Sequence, residues 1–181
     1  MSLPKRVQIK HDHTIHLREA TTPDAKQLLD LSIAVASEGD TLIGTTRDFQ
    51  FTVDQQVEMI HFHKDQPKHI MIVAEVDQEI VGVLNCYSEA AERMAHIGRF
   101  GMIVKKGWRD VGVGKQLLDA LLTWAKQEPQ LEKICLEVIA TNERAINLYR
   151  AFNFFEEGKL TRQVKYHDSE YADLLLMATL T

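Results

Sequence analysis

The run Trp108-Arg109-Asp110-Val111-Gly112-Val113-Gly114-Lys115 sets two glycines among basic side chains. It lies between the apolar stretch Met102-Ile103-Val104, which reads as the end of a strand, and Gln116-Leu117-Leu118-Asp119-Ala120-Leu121-Leu122, which reads as an amphipathic helix. A strand, a glycine-containing turn and a helix start together aim backbone N–H groups and a helix dipole at an anion, typically a phosphate. Gly112 and Gly114 carry no Cβ, so the main chain can come close to such a ligand. Between Lys105 and Lys115, four cations (Lys105, Lys106, Arg109, Lys115) face one anion (Asp110), a local net of +3 in a chain of formal net charge −5.

The surrounding pattern supplies the elements that would position this turn. Residues 1–13 are polar and irregular and are expected to form a loose N-terminal extension or an edge strand, ahead of one domain over 14–181. Ile15-His16-Leu17-Arg18 alternates like a first strand. Thr22-Pro23 is expected to open a helix, with Thr22 as N-cap. Residues 37–51 read as a loop, and Thr52-Val53-Asp54-Gln55 as the capping box of a second helix running to about His63. Ile70-Met71-Ile72-Val73-Ala74 and Ile80-Val81-Gly82-Val83-Leu84 form a hairpin about Asp77-Gln78-Glu79. His96 to Val104 is a longer strand, whose Gly98 and Gly101 mark a bulge or a close backbone approach. Ile134-Cys135-Leu136-Glu137-Val138 reads as a central strand, parallel to the previous one because a helix links them. A fourth helix covers about Glu143 to Phe152, and a closing hairpin follows. The result is a mixed sheet with helices on both faces.

Composition narrows the class. The chain has 181 residues, 45% hydrophobic and 26% charged, as in a soluble globular protein with a real core. No membrane-length apolar run and no secretory pattern appears, so a cytoplasmic location with no membrane partner is expected. The acidic balance argues against nucleic acid. Cys86 and Cys135 sit in apolar strand-like runs and read as reduced core thiols. His11-Asp12-His13 and His61-Phe62-His63 are i, i+2 pairs without a completing cluster; they are taken as surface residues, and no metal is expected.

Three phosphate-cofactor patterns compete for the glycine turn. The dinucleotide fingerprint fails at Leu117, which stands at the third glycine position. The P-loop fails at Arg109 and at Gln116. The third pattern, Arg-x-x-Gly-x-Gly, fits: Arg109, Gly112 and Gly114 resemble the acetyl-CoA pyrophosphate loop of the GNAT superfamily of N-acetyltransferases. A second segment, Asn142 to Phe154, resembles that family's N-x-x-A-x-x-L-Y-x-x-x-G-F motif at Asn142, Ala145, Leu148, Tyr149 and Phe154. Asn153 replaces the usual glycine, a mild change because Asn tolerates the left-handed conformation at a helix end. His96 to Gly101 and the stretch from Glu157 through Met177 look like a bacterial branch whose members acetylate ribosomal-protein N-termini, polyamines or small amines.

The resemblance implies an α/β (α+β) fold. Its central sheet is mixed and mostly antiparallel, with a splayed parallel strand pair and helices on both faces. It implies an acyltransferase that moves the acetyl group of acetyl-CoA to an amine acceptor, a small molecule or a protein N-terminus, by direct attack. The diphosphate would sit on amides between Arg109 and Gly114, including those of Val111 and Gly112. Arg109 and Lys115 could add charge, although Lys115 also reads as a solvated helix lysine. The pantetheine arm would lie along Met102 and Val104, with the N–H near Val104 polarising the thioester carbonyl. Tyr149 would be the general acid for the departing thiolate, or else a core tyrosine. Asn142 is an N-cap, a cofactor contact, or both. Arg99 stands where related sequences often carry a glutamate, so Glu137 and His96 are left as substitute bases or structural residues, and a water relay or an already neutral amine would need no strong base. Glu38 and Asp40, in the first loop, could attract a cationic amine. A homodimer is common in the family. The alternative is a catalytically weak module that binds acyl-CoA and regulates a partner.

Overall fold

The computed structural model describes residues 3–39, 41–167 and 169–181. One 8-stranded sheet runs in the order β1-β2-β3-β4-β5-β6-β8-β7, built from β1 (Lys5–Gln8), β2 (Thr14–Glu19), β3 (Ile70–Val76), β4 (Glu79–Ser88), β5 (Ile97–Val104), β6 (Lys133–Ile139), β7 (Phe155–His167) and β8 (Glu170–Leu180). Helices α1 (Ala25–Ala36), α2 (Val53–Asp65), α3 (Val113–Ala125) and α4 (Glu143–Ala151) connect them. Every neighbouring pair is antiparallel except β5 and β6.

Alternation along the strands divides the core between the two faces. Ile72 joins Leu117, Leu118 and Leu121 of α3 and Ile146 of α4 on one face. Met71 and Val73 join Leu28, Leu31 and Val35 of α1 and Ile60 of α2 on the other. A strand covered on both sides is apolar at every position, which explains the unbroken run from Ile70 to Ala74. Its hairpin turns through Asp77 and Gln78, both at positive φ (46° and 70°), the primed geometry that matches strand twist.

Of the two alternatives for the N-terminal segment, Lys5–Gln8 takes the edge strand: β1 pairs with β2, Val7 opposite Ile15. Two expectations change. The first helix is capped one residue early. Thr21, not Thr22, bonds Asp24, through its N–H (2.7 Å) and its hydroxyl (2.9 Å), since a 3-10 turn over Thr22–Asp24 precedes α1. His63 is not a surface residue. It is buried on the inner face of α2, with Nδ1 2.8 Å from Met59 O, while His61 stays exposed. Cys86 and Cys135 are free and buried, and burial pushes both thiols above their ordinary pKa.

Candidate active site

The parallel pairing of β5 with β6 is short. It covers only Ile97–Arg99 against Lys133–Cys135, and beyond it the strands part. Gly98 permits the close half: a Cβ there would meet Ile134 Cδ1 at 2.8 Å and Cys86 Sγ at 3.1 Å. The register with β4 is unbroken through both glycines, so Gly98 marks a close approach and not a bulge.

The open half exposes backbone in a defined pattern. Lys105 N–H donates to Val81 O at 2.9 Å, which makes that a hydrogen-bonded pair in the antiparallel ladder. Alternation then turns the backbone groups of Val104, Met102 and Phe100 away from β4 and towards the gap. Of these, Val104 O accepts from Arg109 Nε at 2.8 Å.

The gap widens into a cavity of about 520 Å³. At one end it meets the glycine turn: Gly112 and Gly114, with Arg109, Asp110 and Lys115, all line it. Gly112 has φ +113°, a conformation that L side chains rarely adopt, and it caps the start of α3 with its carbonyl accepting from Gln116 N–H at 3.1 Å. Such a helix start leaves its first amides without intrahelical partners. Met102, Val104, Ala145 and Leu148 also line it, and Met102, Val104 and Leu148 lie around Gly114. Val35, Leu42, Ile43 and Phe49 from α1 and the following loop line it as well, together with Phe100, Glu137 and Tyr149.

Tyr149 is 6% exposed and stacks edge-on with Phe100, ring centroids 5.8 Å apart; burial pushes its phenol up to about 12. The α4 segment around it closes as its sequence suggests. Asn142 Oδ1 caps α4 by accepting from Ala145 N–H at 3.3 Å, and it also lines the cavity. Asn153 takes φ 63°, and Phe154 N–H returns to Tyr149 O at 3.1 Å.

The charged residues are arranged less simply than their spacing suggests. Arg109 does not point its guanidinium free into solvent: Nη1 and Nη2 hold Glu38 at 2.5 and 2.9 Å. Glu38 is therefore engaged with a cation of the chain itself, and Asp40 lies outside the described residues. Arg99 bonds Glu89, and its Nη1 lies 3.9 Å from Glu137 Oε1. His96 is not among the cavity-lining residues, whereas Glu137 is. Lys10 and the apolar loop residues Leu42, Ile43 and Phe49 were not marked by local spacing; they reach the cavity through long-range packing. Among the described residues no group of three metal-ligating side chains is found, and no helix is long and apolar enough to cross a membrane.

Comparison with known proteins agrees with this geometry. The model of the acetyltransferase (GNAT) family matches residues 11–154. An N-alpha-acetyltransferase of Sulfolobus acidocaldarius is 30% identical over 169 residues, 87% of this chain and 96% of that protein. An L-amino acid N-acetyltransferase of Escherichia coli K12 is 28% identical over 114 residues, 63% of this chain and 70% of that protein. The crystal structure of a GNAT-family acetyltransferase from Streptococcus pneumoniae superposes with a TM-score of 0.88 at 24% identity, covering 92% of this chain and 99% of that one.

Proposed function

The chain belongs to the acetyltransferase (GNAT) family, and from that premise we propose that it transfers the acetyl group of acetyl-CoA to a primary amine by direct attack in a ternary complex. The observation that carries this reading is the one-sided pairing of β5. Its open edge begins at Phe100, beside Tyr149, and runs to the glycine loop, so an extended ligand with a phosphorylated end can lie along it. Unpaired backbone groups at such an edge are costly unless a ligand satisfies them.

In this reading the diphosphate takes the amides of Val111, Gly112 and Gly114 at the start of α3, with Lys115 adding charge. Arg109 acts differently: it spans Val104 O and Glu38, and so fixes the end of the open edge. The pantetheine arm pairs with Met102 and Val104, and the Val104 N–H polarises the thioester carbonyl. As the amine attacks, negative charge grows on that oxygen and is met by the N–H. Collapse of the tetrahedral intermediate expels the thiolate. Tyr149 holds its proton throughout the physiological range and meets the thiolate as a donor. Asn142 contacts the donor while capping α4. Glu137, whose carboxylate lines the same cavity as Tyr149, takes the proton from the amine.

The acceptor we propose is a small-molecule amine or a protein N-terminus; the Escherichia coli relative is named an L-amino acid N-acetyltransferase and the Sulfolobus relative an N-alpha-acetyltransferase. Thiol release from acetyl-CoA, measured across a panel of amino acids, polyamines and peptide N-termini, tests the function. Turnover is expected with at least one amine. Binding of acetyl-CoA without turnover on any of them would favour a regulatory binding module. No binding at all would overturn the reading.

A further inference from the structure

We infer that Lys10, which lies outside the span matched by the family, is part of the phosphate-binding site for the donor. This rests on the proposed function, in which a phosphorylated donor occupies the glycine loop.

The N-terminal arm is bolted to that loop on several sides. Lys5 Nζ pairs with Asp119 of α3 at 2.9 Å. His11 and Asp12 adopt positive φ (60° and 56°), and Ile9 N–H closes the reversal on His13 O at 2.8 Å. The His13 ring meets Trp108 edge-on, with centroids 4.8 Å apart. Ile9 lies over Gly112, where an added Cβ would come within 3.4 Å of its Cγ2.

Between these anchors Lys10 holds two successive loop carbonyls. Its backbone N–H donates to Val111 O at 3.0 Å, and its Nζ donates to Asp110 O at 3.0 Å. A trans peptide points its C=O and N–H in opposite directions. With the carbonyls of Asp110 and Val111 held towards Lys10, the N–H groups of Val111 and Gly112 face the opposite way. Those are two of the amides the diphosphate would use. Lys10 also lines the same cavity as Lys115 and Gly114. Arg109 has its guanidinium on Glu38, and Asp110 subtracts charge, so the ammonium of Lys10 answers a real need at this mouth. Lys10 thus sets the loop carbonyls and, from the carbonyl side of the same peptides, adds positive charge to the cavity lining.

The test compares two donors that share the thioester arm and differ in phosphate. Dissociation constants for acetyl-CoA and for S-acetylpantetheine are measured on the unsubstituted protein, Lys10→Met and Lys10→Arg. Lys10→Met should weaken acetyl-CoA roughly fivefold, the upper end for an exposed ion pair. It should leave S-acetylpantetheine unchanged, and the salt dependence of acetyl-CoA binding should become shallower. Lys10→Arg should recover most of the affinity. Unchanged affinity of Lys10→Met for acetyl-CoA would overturn the inference. So would an equal loss for both donors, which would make Lys10 a tether and nothing more. Failure of the unsubstituted protein to bind acetyl-CoA would instead strike the proposed function itself.

Discussion

The two halves of β5 share a strand, a neighbour and a register with β4, yet they do different things. Ile97–Arg99 is paired on both sides; from Phe100 to Val104 only β4 remains as a partner. The closed half is held by packing: Gly98 against Ile134 and Cys86, with Arg99 between Glu89 and Glu137. The open half is held by what lies beyond its end, where Arg109 takes Val104 O. The lesson is that an unsatisfied strand edge needs one half of the strand locked so that the other can stay apart.

If that division is right, substitutions in the two halves should separate chemistry from stability. Tyr149→Phe removes the donor beside the open half and leaves the ring contacts in place. Turnover should fall about a hundredfold, at the low end for a positioned acid, with acetyl-CoA affinity and melting temperature nearly unchanged. Initial rates with thiol detection and calorimetry measure the two arms; parallel loss of rate and affinity would mean Tyr149 is a packing residue.

Gly98→Val attacks the closed half. The new side chain begins 2.8 Å from Ile134 Cδ1, and overpacking of this kind costs about 1–3 kcal/mol. Denaturant titration should show that loss. Donor affinity should fall only as far as the unfolded fraction requires; a much larger fall would show that the halves are not separable.

The smallest effect is in pH. His63 and His69 sit against the closed end of the sheet, His69 beside Tyr87, which pairs with Arg99. Burial holds both imidazoles below their ordinary value of 6.5, with the mutual repulsion of the pair adding at His69. The unfolded chain therefore binds more protons just below that value. Stability should be full above about pH 6.5 and decline as pH falls towards the folded-state values. Thermal melts from pH 7.5 downward should show the decline, and His63→Phe should flatten it. A slope unchanged in that variant would assign the effect elsewhere.

What was legible in the sequence was what the local chain must do by itself. The glycine loop needs φ +113° at Gly112, and the Asn142–Phe154 segment needs a cap at one end and a left-handed residue at the other. The capping box at Thr52 is the same kind of signal, with Gln55 Oε1 accepting from Thr52 N–H at 2.8 Å. What stayed hidden depends on partners far along the chain. Arg109 reads as a phosphate ligand because Glu38, 71 residues away, leaves no mark on its spacing. Lys10 reads as part of a loose arm for the same reason. His63 was hidden differently. The buried side of α2 is Gln56, Ile60 and His63, a helical stripe in which two of three positions are polar. A hydrophobic pattern cannot reveal a face that is not hydrophobic.

The two thiols mark the point where the halves of β5 meet. Cys86 lies opposite Phe100 in β4, and Cys135 lies beside Arg99 in β6. Both are buried, and burial keeps them in the unreactive protonated form. Cys86 is fully enclosed in the core, so an alkylating reagent reaches it only when the packing around it opens. Its labelling rate is therefore a built-in clock for breathing at the centre of the sheet, and a donor lying along the open edge should make that clock run slow.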